Sequence, residues 1–250
     1  MNRNKKYIYP KICTSILGQC VEEIEQELMQ LKQDSIDIVE WRLDFFKKID
    51  NFNTVCREID FIKKILPNIP LIVTVRTENE GGNFTRGDNE YFNILKKLIN
   101  IQDIDYIDLE FCHRENIEFC QTIDQAHHHN IKIILSYHNF YRTPAFDDII
   151  FLYDQMNQYP ADMNKLAFMP HSFEDVQNLV NAGKFIHNRK NKKLYILISM
   201  GEIGKISRIL SECMGSCITF GSSLSESAPG QISVDELKKY IQLVHDSINE

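Results

Sequence analysis

Apolar runs rich in isoleucine, leucine and valine recur along the chain at 12–17, 36–43, 70–76, 105–111, 131–137, 163–169, 194–200 and 217–221. Most are continuous rather than alternating, which is the pattern of parallel strands covered on both faces. Between them lie segments with apolar residues at helical spacing, such as 21–32, 90–99 and 173–187. After the last run, 233–245 reads as a closing helix, and Ser233 followed by Glu236 marks its start as a capping box.

Eight strand-plus-helix units in 250 residues are about 30 residues each, the repeat of a (β/α)8 TIM barrel. A doubly wound open sheet is the alternative α/β architecture, but no GxGxxG follows the first strand to favour it. No linker, repeat or low-complexity tract divides the chain, so 1–250 is expected to be a single catalytic barrel domain. In such a barrel the chemistry sits at the carboxyl-terminal rim, where the strands end.

Reactive residues do collect at the predicted strand ends. The sixth run, Met163 to Met169, carries a lysine in its middle. Alternation puts Lys165 on the face of Met163, Ala167 and Met169. A lysine there either snorkels to water or is kept in a dry pocket for chemistry. The fifth strand ends in Ser136, Tyr137, His138 and Asn139, and sequential strands of a barrel are neighbours about 4.8 Å apart. His138 and Lys165 are therefore expected to reach one bound molecule, an imidazole beside an amine.

Charges line the other strand ends. Glu40, Arg42 and Asp44 are expected to share one face of the second strand, where they either pair with one another or hold a polar ligand. Arg76 closes the third strand, and Glu80 follows in a turn with Gly81 and Gly82. Asp108 and Glu110 at the fourth strand end read as supports. After the seventh strand, Arg208 is expected near the start of a helix, where its planar fork would suit a carboxylate. The polar loop 222–231 is expected to act as a lid, with Ser227 and Gln231 offering hydrogen bonds.

Composition narrows the classes without naming a function. The hydrophobic fraction of 43% and charged fraction of 25% are those of an ordinary globular protein. A net charge of −7 lends no support to nucleic-acid or membrane-surface partners. No window approaches the ~18 apolar residues that cross a bilayer, and the basic N-terminus lacks the apolar core of a secretory signal. The seven cysteines are scattered without the paired spacing of a zinc site, so a reduced cytoplasmic protein without a metal is expected. His127, His128 and His129 are consecutive on a helix and splay apart, so they read as surface residues.

Arg42, Arg76 and Arg208 call for an anionic substrate, while Ser227, Gln231 and Glu40 suit hydroxyl groups. An unprotonated lysine attacks a carbonyl to give a Schiff base, and the iminium acidifies the neighbouring C–H. His138 can remove that proton and later protonate a leaving hydroxyl. The residues thus point to a lyase or aldolase acting on a hydroxylated keto acid, without metal or organic cofactor. Another class I Schiff-base aldolase and a non-catalytic carboxylate-binding barrel remain open on these residues alone.

The segments EWRLD, TVRTENEGG, SYHN, KLAFMP, SMGEIGKISR, TFG and SAPGQIS, in this order, resemble the type I 3-dehydroquinate dehydratases over nearly the whole chain. The resemblance implies a (β/α)8 barrel, commonly dimeric, that takes 3-dehydroquinate to 3-dehydroshikimate in the shikimate pathway. By the same resemblance Lys165 is the Schiff-base lysine, His138 the general acid/base and Glu80 the acid that orients it. Ser15, Glu40, Arg42, Arg76, Arg208, Ser227 and Gln231 would hold the substrate, with Arg208 on its carboxylate. Two positions depart from the family pattern: Ile198 stands where methionine is common, and Asn139 where aspartate is frequent.

Overall fold

The structure, a computed structural model, describes residues 8–31, 36–223 and 228–249. Strands and helices alternate as β1 (Lys11–Ile16), α1 (Val21–Leu31), β2 (Ile38–Arg42), α2 (Phe52–Ile65), β3 (Leu71–Thr74) and α3 (Asp88–Ile99). They continue as β4 (Tyr106–Glu110), α4 (Glu118–His128), β5 (Lys132–Asn139), α5 (Phe146–Asn157), β6 (Met163–Phe168) and α6 (Phe173–His187). The chain ends with β7 (Leu194–Ser199), α7 (Gly201–Ile209), α8 (Ser211–Met214), β8 (Ile218–Ser222), the two-residue β9 (Ile232–Ser233) and α9 (Val234–Asn249).

The strands pair in parallel in the order β7-β6-β5-β4-β3-β2-β1-β8, with β9 appended to β8. The seam between β7 and β8 is joined at its lower end. There the Cys217 N–H donates to the Tyr195 carbonyl at 2.9 Å, and the Leu197 N–H donates to Ser216 Oγ at 3.1 Å. The result is the (β/α)8 barrel that the sequence predicts.

Two apolar regions hold it. The larger lies between the sheet and its helices and includes Trp41, Phe92, Phe119, Leu135 and Ile186. The smaller fills the floor of the barrel interior with Cys13, Ile38, Ile72, Ile134, Met163, Ile196 and Ile218. Burying both faces of each strand explains why the strands read as continuous apolar runs. Predicted helix 173–187 matches α6 in full. Lys32, the last residue of predicted helix 21–32, lies outside the described residues. At the last helix the Ser233 hydroxyl accepts the Glu236 N–H at 3.4 Å, one half of the predicted capping box, and it also donates to the Glu236 carboxylate at 2.6 Å.

Several strands are shorter at the rim than their apolar runs suggest, whereas β5 runs on to Asn139. β2 ends at Arg42 and β3 at Thr74, and short 3₁₀ turns follow at Leu43–Phe45, Glu78–Glu80 and Phe111–His113. Asp44 therefore leaves the strand and does not share its face with Glu40, contrary to the expectation. The cause is local: carboxylates at the rim capture backbone donors. Asp44 Oδ1 accepts the Arg76 N–H at 3.2 Å, and Glu110 Oε1 accepts the Thr77 N–H at 2.8 Å.

Candidate active site

Above the apolar floor, the interior-facing positions turn polar. Register sets Ser15 beside Glu40, Thr74 beside Asp108, and Ser136 beside Lys165, with His138 beside Ala167 one step higher. Ser136 and His138 on β5, and Lys165 and Ala167 on β6, are two residues apart and so share a face. The layer opens into a cavity lined by Glu40, Arg42, Arg76, Glu80, His138, Lys165, Arg208 and Gln231. Gly81, Phe140, Ala167, Ile198, Met200, Phe220 and Ala228 complete its wall. Ser15 reaches this group from behind, donating to Glu40 Oε2 at 2.6 Å. Ser227 lies outside the described residues.

Lys165 is 6% exposed, so its stem and amine both sit inside the barrel. Its Nζ lies 3.7 Å from Glu40 Oε1, 3.9 Å from Asp108 Oδ2 and 4.6 Å from the centroid of the Phe220 ring. Ala167 lines the cavity, Met163 belongs to the floor beneath it, and Met169 packs against the same apolar group just past the end of β6. The bland possibility of a snorkelling edge lysine fails, because β6 is flanked by β5 and β7.

Arg76 is the hub of the charged layer. Its Nη1 donates to Glu110 at 2.9 Å, to Ser136 Oγ at 2.9 Å and to Glu80 Oε2 at 3.3 Å, while Nη2 donates to Asp108 at 2.8 Å. Burial disfavours its charge, but Asp108, Glu110 and Glu80 more than offset this and hold it firmly as a guanidinium. Burial likewise works against ionised Glu110, yet Arg76, His113 and Thr77 bring its carboxyl down to about 2. Glu40 follows the same logic: burial raises it, whereas Lys165, Arg42 and the hydroxyls of Ser15 and Thr74 bring it down to about 2. Arg42 makes a two-pronged contact with Asp44, with both bonds at 2.9 Å.

Glu80 stands behind His138. Its Oε2 is 2.8 Å from His138 Nδ1, accepts the His138 backbone N–H at 3.1 Å and receives Arg76 as well. An oxygen ringed by donors acts as an acceptor, so the imidazole carries its proton on Nδ1 and keeps the Nε2 lone pair. Burial, then Arg76, Lys165 and Arg42, push the His138 pKa well below its usual value and favour the neutral ring. Burial and the nearby Glu110 push Glu80 the other way, above the usual carboxylate range. Gly81 takes a left-handed φ of +79°, and a Cβ there would lie 2.3 Å from the Phe140 ring. Only glycine lets this turn bring Glu80 and Phe140 to the same wall.

Arg208 differs from its expected position. It lies in the last turn of α7 rather than near its start, because Gly201, with a φ of +68°, begins the helix directly after β7. Its Nε donates to the Gly230 carbonyl at 2.8 Å, and Nη1 and Nη2 reach the Phe220 and Pro229 carbonyls at 3.4 and 3.3 Å. The guanidinium therefore fastens the end of the loop that carries Ala228 and Gln231. His127, His128 and His129 are exposed, as expected.

Several wall residues carry no signal of their own in the sequence. Phe220 and Phe140 read as core and loop aromatics. Ser136 could have been found, since it lies two positions before His138 on the same strand. Thr74, which donates to Glu40 at 2.8 Å, was likewise legible from alternation alone.

The sequence profile of the type I 3-dehydroquinase family matches residues 12–248. The chain belongs to this family. Its sequence is 37% identical over 236 residues to a 3-dehydroquinate dehydratase of Listeria monocytogenes serotype 4b, covering 94% of this chain and 93% of the relative. It is 37% identical over 235 residues to one from Clostridium kluyveri, covering 94% and 92%. Among solved structures, the fold matches type I 3-dehydroquinate dehydratase from Clostridium difficile with covalent modified comenic acid, at a TM-score of 0.89 and 34% identity over 95% of this chain and 93% of that one. A type I 3-dehydroquinase barrel accounts for the extent of these likenesses, because they run the length of the sheet rather than stopping at one motif. No helix among the described residues is long and apolar enough to cross a membrane.

Proposed function

We propose that this type I 3-dehydroquinase dehydrates 3-dehydroquinate to 3-dehydroshikimate in the shikimate pathway, as a hydro-lyase acting through a Schiff base on Lys165. The observation that carries the proposal is the shared cavity: Lys165 and His138 line one pocket inside the barrel, with Glu80 held behind the imidazole.

The Lys165 amine adds to the substrate ketone, and loss of water from the carbinolamine leaves an iminium. The iminium withdraws electrons from the adjacent carbon, so neither a metal nor an organic cofactor is needed as electron sink. His138 Nε2 takes the proton from that carbon and gives an enamine. The enamine then expels the neighbouring hydroxyl, which leaves as water with the proton that His138 returns, a syn elimination. Water hydrolyses the product iminium and restores the amine. Glu80 fixes the ring tautomer and supports the imidazolium that forms.

The cavity suits an anionic polyol. Arg42, Arg76 and Arg208 give it a cationic side, and Gln231, Glu40 and Ser15 place hydrogen-bonding atoms at its wall. Ser227 belongs to the same substrate-holding set. Because Arg208 already holds three carbonyls, its contribution to a substrate carboxylate rests on the loop it fastens as well as on its charge. The proposal extends to one catalytic domain over residues 1–250, a homodimer in the cytoplasm, and no nucleic-acid partner, in keeping with the family and the acidic charge.

Incubation with 3-dehydroquinate and borohydride tests the Schiff base. Intact mass should rise by one reduced adduct, and peptide mapping should place it on Lys165. Lys165→Met should abolish both adduct and turnover while leaving the thermal transition in place. No adduct under turnover, or substantial turnover by the variant, contradicts the mechanism.

A further inference from the structure

We propose a second site, a cation site at the rim end of β4, that binds one thiophilic divalent ion of the Zn²⁺ class through Glu110, Cys112 and His113. These residues belong to the strand end and to the 3₁₀ turn Phe111–His113, so one short stretch of backbone presents all three. Their donor atoms lie within 4.8 Å of one another. Glu110 Oε2 is 3.4 Å from His113 Nε2 and 3.7 Å from Cys112 Sγ. Tetrahedral zinc with usual bond lengths of about 2.0–2.3 Å requires edges of about 3.4 Å for N to O and about 3.6 Å for S to O.

The histidine is already oriented as a ligand. Its Nδ1 lies 3.2 Å from Asp88 Oδ1, and its ring stacks on Tyr91 with centroids 4.6 Å apart. A carboxylate on one ring nitrogen is the usual outer support of a metal-bound imidazole. The other nitrogen, Nε2, is buried on a side chain that is 9% exposed and faces Glu110 Oε2 at 3.4 Å, longer than a well-formed hydrogen bond. The Cys112 thiol also lies against the Glu80 carboxylate. Asp88 and Glu110 bring negative charge there, part of which Arg76 already balances at Glu110. Access exists, since Cys112 is exposed and His113 borders a separate surface cavity.

Binding replaces the Cys112 S–H by an S–metal bond and releases the thiol proton to solvent. No electron transfer is involved, and the ion takes no part in the dehydration.

Titration of the whole protein with Co²⁺, as a spectroscopic substitute for Zn²⁺, tests the site. One equivalent should bind with a thiolate-to-cobalt charge-transfer band and the intense visible bands of a tetrahedral ion, and Zn²⁺ should displace it. Cys112→Ser should abolish the charge-transfer band, and His113→Gln should weaken binding by roughly tenfold or more. Absence of that band in the parent protein overturns the proposal. So does a band that persists unchanged in Cys112→Ser, which would place the thiolate elsewhere among the cysteines. Both readouts are independent of dehydratase activity.

Discussion

Replacing Arg76 by methionine probes the charged layer that carries the mouth of the barrel. The side chain is 3% exposed and is the cation held in common by Glu80, Asp108 and Glu110. Glu110 is held at about 2 against an ordinary value of 4.5, a difference of roughly 3 kcal/mol at about 1.36 kcal/mol per unit. Removing one partner of a buried ion pair typically costs about 3–5 kcal/mol. The pH dependence carries the sharper test. In the parent protein Glu110 is depressed, so its contribution is full above its ordinary value and is lost only as the pH falls toward about 2. In Arg76→Met the carboxylates left behind lose their cation and bind protons more tightly folded than unfolded. The variant therefore loses stability as pH rises, and its deficit should widen by up to about 2.7 kcal/mol per proton taken up between about pH 5 and about pH 7. Urea unfolding of both proteins at the two pH values measures this, with Arg76→Lys as a charge-retaining control of intermediate stability. A deficit below about 1 kcal/mol at pH 7, or one that does not change with pH, refutes the reasoning.

Three other outcomes follow from the same geometry. Gly81→Ala should cost about 1–2 kcal/mol for the left-handed backbone and, by displacing Phe140, raise KM several-fold; unchanged kinetics would remove Phe140 from the substrate wall. Because burial and three cations depress His138, kcat/KM should hold as pH drops through the ordinary histidine range and fall only at lower pH, when Nε2 is protonated; an acid limb centred near 6.5 in a profile from about pH 5 to about pH 8 would contradict this. Arg208→Ala frees the Phe220, Pro229 and Gly230 carbonyls and should raise KM about tenfold or more with a smaller change in kcat; an unchanged KM would take Arg208 out of substrate binding.

The candidate site was largely legible residue by residue. Period-two alternation places Ser136 with His138, Met163 with Lys165 and Ala167, and Asp108 with Glu110, and each of these sets faces the barrel interior or its rim. What alternation could not supply was partnership. Arg76 lines the cavity, and the fold also gives it three carboxylates and Ser136, 60 positions away, as partners. Arg208 was expected at a helix start, and the left-handed Gly201 moves that start so that Arg208 lies in the last turn. Asp44 was expected on a strand face, and the capture of the Arg76 N–H holds it in a turn instead. The Glu110, Cys112 and His113 group escaped notice because its spacing matches no paired-cysteine pattern, and its geometry depends on a 3₁₀ turn and on Asp88 from another element.

By itself, then, the sequence determined the eight-fold alternation of buried strands and amphipathic helices and the chemistry standing at the strand ends. Both are written in local periodicity, which survives without knowledge of distant neighbours. The tertiary structure alone decided the register, and with it which charges meet. Glu80 reaches His138 across 58 positions, and Lys165 lies between Glu40 and Asp108, sharing the Asp108 carboxylate with Arg76. In a low-dielectric interior those pairings set protonation and stability, and they depend on ångström distances that periodicity does not contain.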